Sequence, residues 1–186
     1  MKMIVNKYLI SKIVLALAIV FVSCIVFCTL YGITHFIMMG KEFRQRQVSL
    51  LCETDYQALL DACKELSKQV EEGDMKPGRY KIRKDPDQES TRFPQLILDL
   101  EPKYVVIDAD GQVKVAIEEL GAFAYFGVRA YPEDYKKTKH DKKLIGGLWY
   151  YDSDYYDAYP KYMKKIDALI QKGKMRRQAQ QSRGND

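Results

Sequence analysis

The residues best suited to chemistry in this chain are few and close together. Asp152-Ser153-Asp154-Tyr155-Tyr156-Asp157 places three carboxylates among hydroxyls, an oxygen-rich set of the kind a hard cation such as Ca²⁺ prefers. An EF-hand loop needs ligands at positions 1, 3, 5 and 12 and Gly at 6. Counted from Asp152, the fifth residue is Tyr156, the sixth Asp157 and the twelfth Met163. The pattern fails, and these acids read instead as the cap of a following helix, whose N-terminal end favours negative charge. Lys139-His140-Asp141-Lys142 sets a His beside an Asp, a pair able to orient a general base, but in so Lys-rich a stretch it reads as a solvated loop. An acidic active site would have to bring Glu133, Asp134, His140 and Asp152 into one cleft. Gly-x-Ser-x-Gly, His-Glu-x-x-His, Cys-x-x-Cys and phosphate-binding Gly loops are all missing from the sequence. With two His in the chain, a His-rich metal centre is excluded. The expectation is no catalytic residue, no cofactor and no metal.

Tyrosine is the unusual feature. Nine of the fourteen Tyr fall between Tyr125 and Tyr162, together with Phe123, Phe126 and Trp149. Tyr joins an apolar ring to a polar tip and suits half-buried positions and interfaces. Most of these rings are expected to fill and rim a small core. Tyr150-Tyr151 and Tyr155-Tyr156 are adjacent pairs, however, and adjacent strand residues face opposite sides. At least one of each pair should look away from the core. Trp149, Tyr150, Tyr151, Tyr155 and Tyr156 are therefore the expected interaction surface, toward a protein or a cell-envelope glycan.

The elements that must position these residues follow from charge and apolar pattern. The chain has 186 residues and a net charge of +5. Residues 41–170 hold 22 basic and 24 acidic side chains, so the excess sits at the two ends. Nucleic-acid binding calls for a basic patch on the folded part. The clusters around Lys81–Lys84 and Lys136–Lys143 are flanked by acids, so no nucleic-acid partner is expected.

Ile13 to Met39 is a run of 27 residues without Asp, Glu, Lys or Arg. A bilayer-spanning helix needs about 20 apolar residues, so one transmembrane helix is expected over 12–38, with tilt absorbing the extra length. The run is too long for a cleaved signal peptide, and Ala-x-Ala is missing. Phe21-Val22-Ser23-Cys24 has the small residue of a lipoprotein site before its Cys, but the chain stays apolar beyond it. Lys2, Lys7 and Lys12 flank one side of the run, and Lys41, Arg44 and Arg46 the other, a nearly level positive-inside count. A very short segment before one long apolar run has the form of a signal-anchor. The expected placement is a single pass through the cell membrane, N-terminus cytoplasmic and main domain extracytoplasmic.

Beyond the anchor the pattern divides the chain into a basic segment 1–11, the anchor 12–38, a connecting amphipathic helix 39–73, a small α+β domain 74–173 and a disordered basic tail 174–186. Cys52, Tyr56, Leu59, Cys63, Leu66 and Val70 form one apolar stripe, which Gly73 ends. On one continuous helix, Cys52 and Cys63 would lie about 16 Å apart, too far for a disulfide, and both are expected as buried thiols. Phe93–Leu100 reads as a short helix. Tyr104–Ala109, a two-residue Asp110-Gly111 turn and Val113–Ile117 read as a hairpin. Ala122–Tyr131 is apolar on both faces as far as Val128, as expected of a central strand, and Leu148–Tyr151 is a candidate fourth strand. Lys136–Lys143 reads as a charged loop. The last helix is expected from about Asp157, with Pro160 in its first turn, to Gly173. The fold class is α+β: a transmembrane helix continuing into a soluble helix packed on an antiparallel sheet of three to four strands, with a C-terminal helix.

In outline this order of elements is similar to that of pilin-like and pseudopilin-like proteins, whose N-terminal helix leaves the membrane and packs on a sheet. The resemblance is one of layout, since the Gly-Phe-Thr-Leu-Ile-Glu-like prepilin signal is missing. The expected function is that of a single-pass membrane-anchored protein whose non-catalytic domain contacts protein or envelope partners. The alternatives are a pseudopilin-like assembly subunit and a membrane-bound accessory subunit or enzyme with an acidic site. The bilayer is the expected partner of residues 12–38.

Overall fold

A computed structural model of the protein describes residues 2–82, 92–120, 124–131, 141–152 and 160–183. The chain forms two compact units, residues 1–42 and 43–186. The first is the greater part of helix α1 (Lys2–Cys52). Its described apolar side chains are exposed, with Phe21, Phe27 and Tyr31 each more than 60% accessible, as in a helix that has no protein to pack on. It is long and apolar enough to cross a membrane. Gly40 does not interrupt it.

The second unit opens with the last turns of α1. Phe43, Leu50 and Leu51 are buried there. The helix stops at Cys52, and Asp55 starts α2 (Tyr56–Glu71) by accepting hydrogen bonds from Gln57 N at 2.9 Å and Ala58 N at 3.2 Å. An N-cap of this type contributes about 1 kcal/mol. The connecting helix is therefore two helices joined at Glu53–Asp55. Cys52 and Cys63 sit on separate elements, both buried and unbridged. Gly73, at φ 83°, ends α2 as its position foretold.

The sheet has six strands where three or four were expected. They are β1 (Gly78–Lys81), β2 (Tyr104–Ile107), β3 (Val113–Leu120), β4 (Ala124–Ala130), β5 (Lys142–Ile145) and β6 (Leu148–Asp152). All pairings are antiparallel, in the order β1-β2-β3-β4-β6-β5. Strand β5 takes part of the stretch read as a charged loop. It is an edge strand, where Lys side chains discourage pairing with another chain. The β2–β3 hairpin closes over three residues, Ala109-Asp110-Gly111, because Asp108 N bonds Gln112 O at 2.9 Å and Gly111 takes φ 78°. The two-residue turn is thereby replaced by a longer loop with Gly at the left-handed position.

Two more helices complete the unit, α3 (Gln95–Asp99) and α4 (Pro160–Arg183). Pro160 starts α4, consistent with the fit of Pro to a first helical residue. Gly173 does not end it. A Cβ there would meet the Leu51 carbonyl oxygen and come within 3.1 Å of Cys52 Cα, so this Gly allows α4 to approach α1 closely. Residues 174–183, read as a disordered tail, continue the helix. Arg177 fixes it by stacking 3.6 Å from the Tyr56 ring centroid and donating to Thr54 O at 3.0 Å.

The core lies between one face of the sheet and the helices. Val105, Ile107, Val113, Val115, Phe126, Val128 and Leu148 face Leu59, Leu60, Leu66, Ile97, Ile166 and Ile170. The other face of the sheet carries no helix among the described residues.

Candidate functional site

Strand alternation turns every second side chain onto the helix-free face. In β1, Tyr80 packs toward the core, so Arg79 and Lys81 point outward. By the same count Tyr104 and Val106 on β2, Lys114 and Ala116 on β3, and Tyr125, Gly127 and Arg129 on β4 share that face. So do Trp149 and Tyr151 on β6 and Lys143 on β5. The register aligns one row across all six strands: Arg79, Val106, Lys114, Arg129, Trp149 and Lys143. Four of these six are cations.

Aromatic rings hold the cations. The Arg79 guanidinium lies 3.6 Å from the Tyr104 ring centroid. Lys114 Nζ stands 4.8 Å from the Tyr151 ring and 5.8 Å from that of Tyr125. Arg129 stacks 4.5 Å from the Tyr151 ring, and Lys143 Nζ is 5.9 Å from Trp149. Such contacts contribute about 0.5–1 kcal/mol each at exposed sites. Arg129 also pairs with both oxygens of the buried Asp141 at 3.2 Å. Burial and the neighbouring Arg129 and Arg79 charges hold the Lys114 ammonium below its ordinary pKa.

Gly127 stands opposite Tyr151 in the register. A Cβ at Gly127 would meet the Val115 carbonyl oxygen and come within 2.7 Å of Tyr151 Oη. Glycine is required here by the Val115 carbonyl and by the Tyr151 ring beside it.

On the core side, β6 contributes a buried polar cluster. Gln47 Nε2 on α1 lies 2.5 Å from Tyr150 Oη, 2.9 Å from Asp152 Oδ2 and 2.8 Å from Tyr162 Oη on α4. Tyr150 and Tyr162 each donate to the same Asp152 oxygen. Burial, reinforced by the Asp152 charge, pushes both phenols above their ordinary pKa. The cluster joins α1, β6 and α4 and supplies the partners that buried polar groups require. A separate tie comes from Arg46, which donates to Glu118 Oε2 at 2.6 Å and to the carbonyls of Leu100 and Glu101 at 2.9 and 2.8 Å.

The residues expected to form an interaction surface divide. Tyr150 and Tyr151 do face opposite sides of the sheet, but both are 1% exposed. Tyr150 is taken up by the polar cluster and Tyr151 is covered by Lys114 and Arg129. Neither ring is an exposed contact. Trp149 is half-buried on the outer face. Tyr155 and Tyr156 lie outside the described residues. Asp152, read as a helix cap, is a strand residue that accepts from Gln47 and two tyrosines. Of the acidic-site groups, Glu133, Asp134 and His140 lie outside the described residues. The basic patch absent from the charge count exists on the folded unit, assembled from strands far apart in sequence. Its signal is the cation at alternate positions within apolar strands, as in Val113-Lys114-Val115 and Val128-Arg129-Ala130.

No family model, curated protein or solved structure matches the chain.

Proposed function

We propose that the protein is a single-pass membrane protein, anchored by residues 12–38 with its N-terminus in the cytoplasm, whose folded unit is a non-catalytic extracytoplasmic module. The module contacts protein or envelope partners through the helix-free face of its sheet. The observation that carries this reading is the row from Arg79 to Lys143. An antiparallel sheet commonly leaves one face to water, but this one concentrates cations and rings there. The use of Arg46 inside the fold supports the orientation, because it leaves Lys41 and Arg44 to flank the span opposite Lys2, Lys7, Lys12 and the amino terminus. The test is labelling of Ser182→Cys in intact cells with a membrane-impermeant maleimide. Labelling before lysis is expected, and labelling only after lysis would reverse the orientation.

A second reading, a pseudopilin-like assembly subunit, is favoured by the continuity of α1 from Lys2 to Cys52. Cross-links between copies through the apolar segment would support it. A strictly monomeric species in detergent would oppose it.

A further inference from the structure

The chemistry of the outer face narrows what it can hold. Arg129 is already neutralised by Asp141. Arg79, Lys81, Lys114 and Lys143 make no ion pair among the described residues, although the Asp108 and Asp141 charges act on Lys114 from a distance; Arg79, Lys114 and Lys143 stand in the row, and Lys81 lies two residues along β1 from Arg79. With strands about 4.8 Å apart, the row from Arg79 to Lys143 extends about 24 Å. It is a sheet surface and not the concave site that a small molecule needs for burial. An extended anionic polymer can satisfy four cations so arranged.

The rings decide how such a polymer is read. Single-stranded nucleic-acid platforms stack bases on aromatic faces. Here Tyr104 is covered by Arg79, and Tyr151 by Lys114 and Arg129. Tyr125 and Trp149, half-buried on the same face, have Lys114 and Lys143 over them at 5.8 and 5.9 Å, so each ring of this face already holds a cation. The crowding of Lys114 by Arg79 and Arg129 points the same way, because an anion there would relieve like-charge repulsion.

We propose that this face binds the backbone of a linear phosphodiester polyanion by charge, laid along the Arg79–Lys143 row, without reading bases. The proposal rests on the domain being a binding module and names its ligand class.

The test uses the full chain in nanodiscs of neutral lipid. Two fluorescent probes of equal length are titrated between 50 and 200 mM salt: an oligothymidylate and its abasic phosphodiester analogue. With four cations engaged, the slope of log K against log salt is expected near about −2.8 for both probes, from about −0.7 per contact on a single strand. The two affinities should agree within about twofold, because no base stacking contributes. Arg79→Gln with Lys143→Gln should halve the slope to about −1.4 and weaken binding at least tenfold, with unfolding midpoints unchanged. Lys172→Gln with Arg176→Gln, on exposed α4 positions, should leave the slope as it was. A base-bearing probe bound tenfold tighter would overturn the proposal in favour of nucleic-acid stacking. An unchanged slope in the sheet variant, loss of binding in the α4 variant, or binding to anionic vesicles in place of both polymers would also overturn it. If neither polymer binds while protein or envelope cross-links still form at this face, the ligand assignment fails and the binding-module reading stands.

Discussion

Replacing Gln47 with Leu tests whether the buried polar cluster closes the folded unit. Gln47 is 3% exposed, and its amide lies within 2.9 Å of three oxygens. Leu has a similar volume and removes the donor without opening a cavity. Tyr150 and Tyr162 still donate to Asp152, so the carboxylate loses one of its three donors among the described residues. A hydrogen bond to a charged group contributes about 1.5–3 kcal/mol. Added apolar burial offsets part of that, so the expected loss is about 2 kcal/mol. For a unit of this size, that corresponds to a melting point lower by about 4–8 °C. Trp149 is the only Trp and adjoins Tyr150, so its fluorescence reports unfolding of the full chain in detergent. Tyr162→Phe should couple with the Gln47 change by about 0.5–3 kcal/mol. A melting point within about 1 °C of wild type, or strict additivity of the two changes, would refute the cluster as a structural tie.

Three further outcomes follow from the same structure. Gly127→Ala should cost about 1–3 kcal/mol through overpacking, lowering the urea midpoint; an unchanged midpoint would contradict the close approach of the Val115 carbonyl and Tyr151. On helix propensity alone, Gly173→Ala should stabilise α4 by about 1 kcal/mol, but contact with the Leu51 carbonyl reverses the sign, so a rise in melting point would count against the packing of α4 on α1. The alkaline limb of stability should be steep. Burial raises the Tyr150 and Tyr151 phenols above 10.0 and pushes the Cys63 thiol up from 9.0 to about 12, so the neutral forms are favoured only in the folded state. Their contribution is complete well below the unfolded values of 9.0 for the thiol and 10.0 for the phenols and is lost as pH rises through them, by up to about 1.4 kcal/mol per pH unit for each group. Melting points flat from pH 9 to 11 would contradict this.

Local elements were legible where a single signal sufficed. The 27-residue uncharged run, the Asp110-Gly111 hairpin, the central strand β4 and the Pro160 helix start all declare themselves within a few residues. Two misreadings came from signals with two meanings. Gly173 resembles a helix stop but permits a close approach, and Lys142-Lys143 resembles a loop but protects a sheet edge. The break before α2 was open to detection, since Asp55 precedes an apolar stripe as an N-cap does. The row of cations and rings on the sheet was not legible, because it depends on register. Arg79, Lys114, Arg129 and Lys143 are scattered along the sequence and become neighbours only through strand pairing. Charge counted over 41–170 conceals them, because it sums over the whole unit and carries no information on which side chains share a face. Gln47 was hidden for the same reason: its partners are more than 100 residues away.

The proposed role of the helix-free sheet face in meeting partners is open to a direct experiment. Photo-cross-linking in intact membranes tests it most directly, with a cross-linking amino acid at Val106 or Lys143 on that face and at Asp61 on the exposed side of α2. Adducts are expected from Val106 and Lys143 and none from Asp61. Adducts from Asp61 alone would place the contact on the helical side and contradict it.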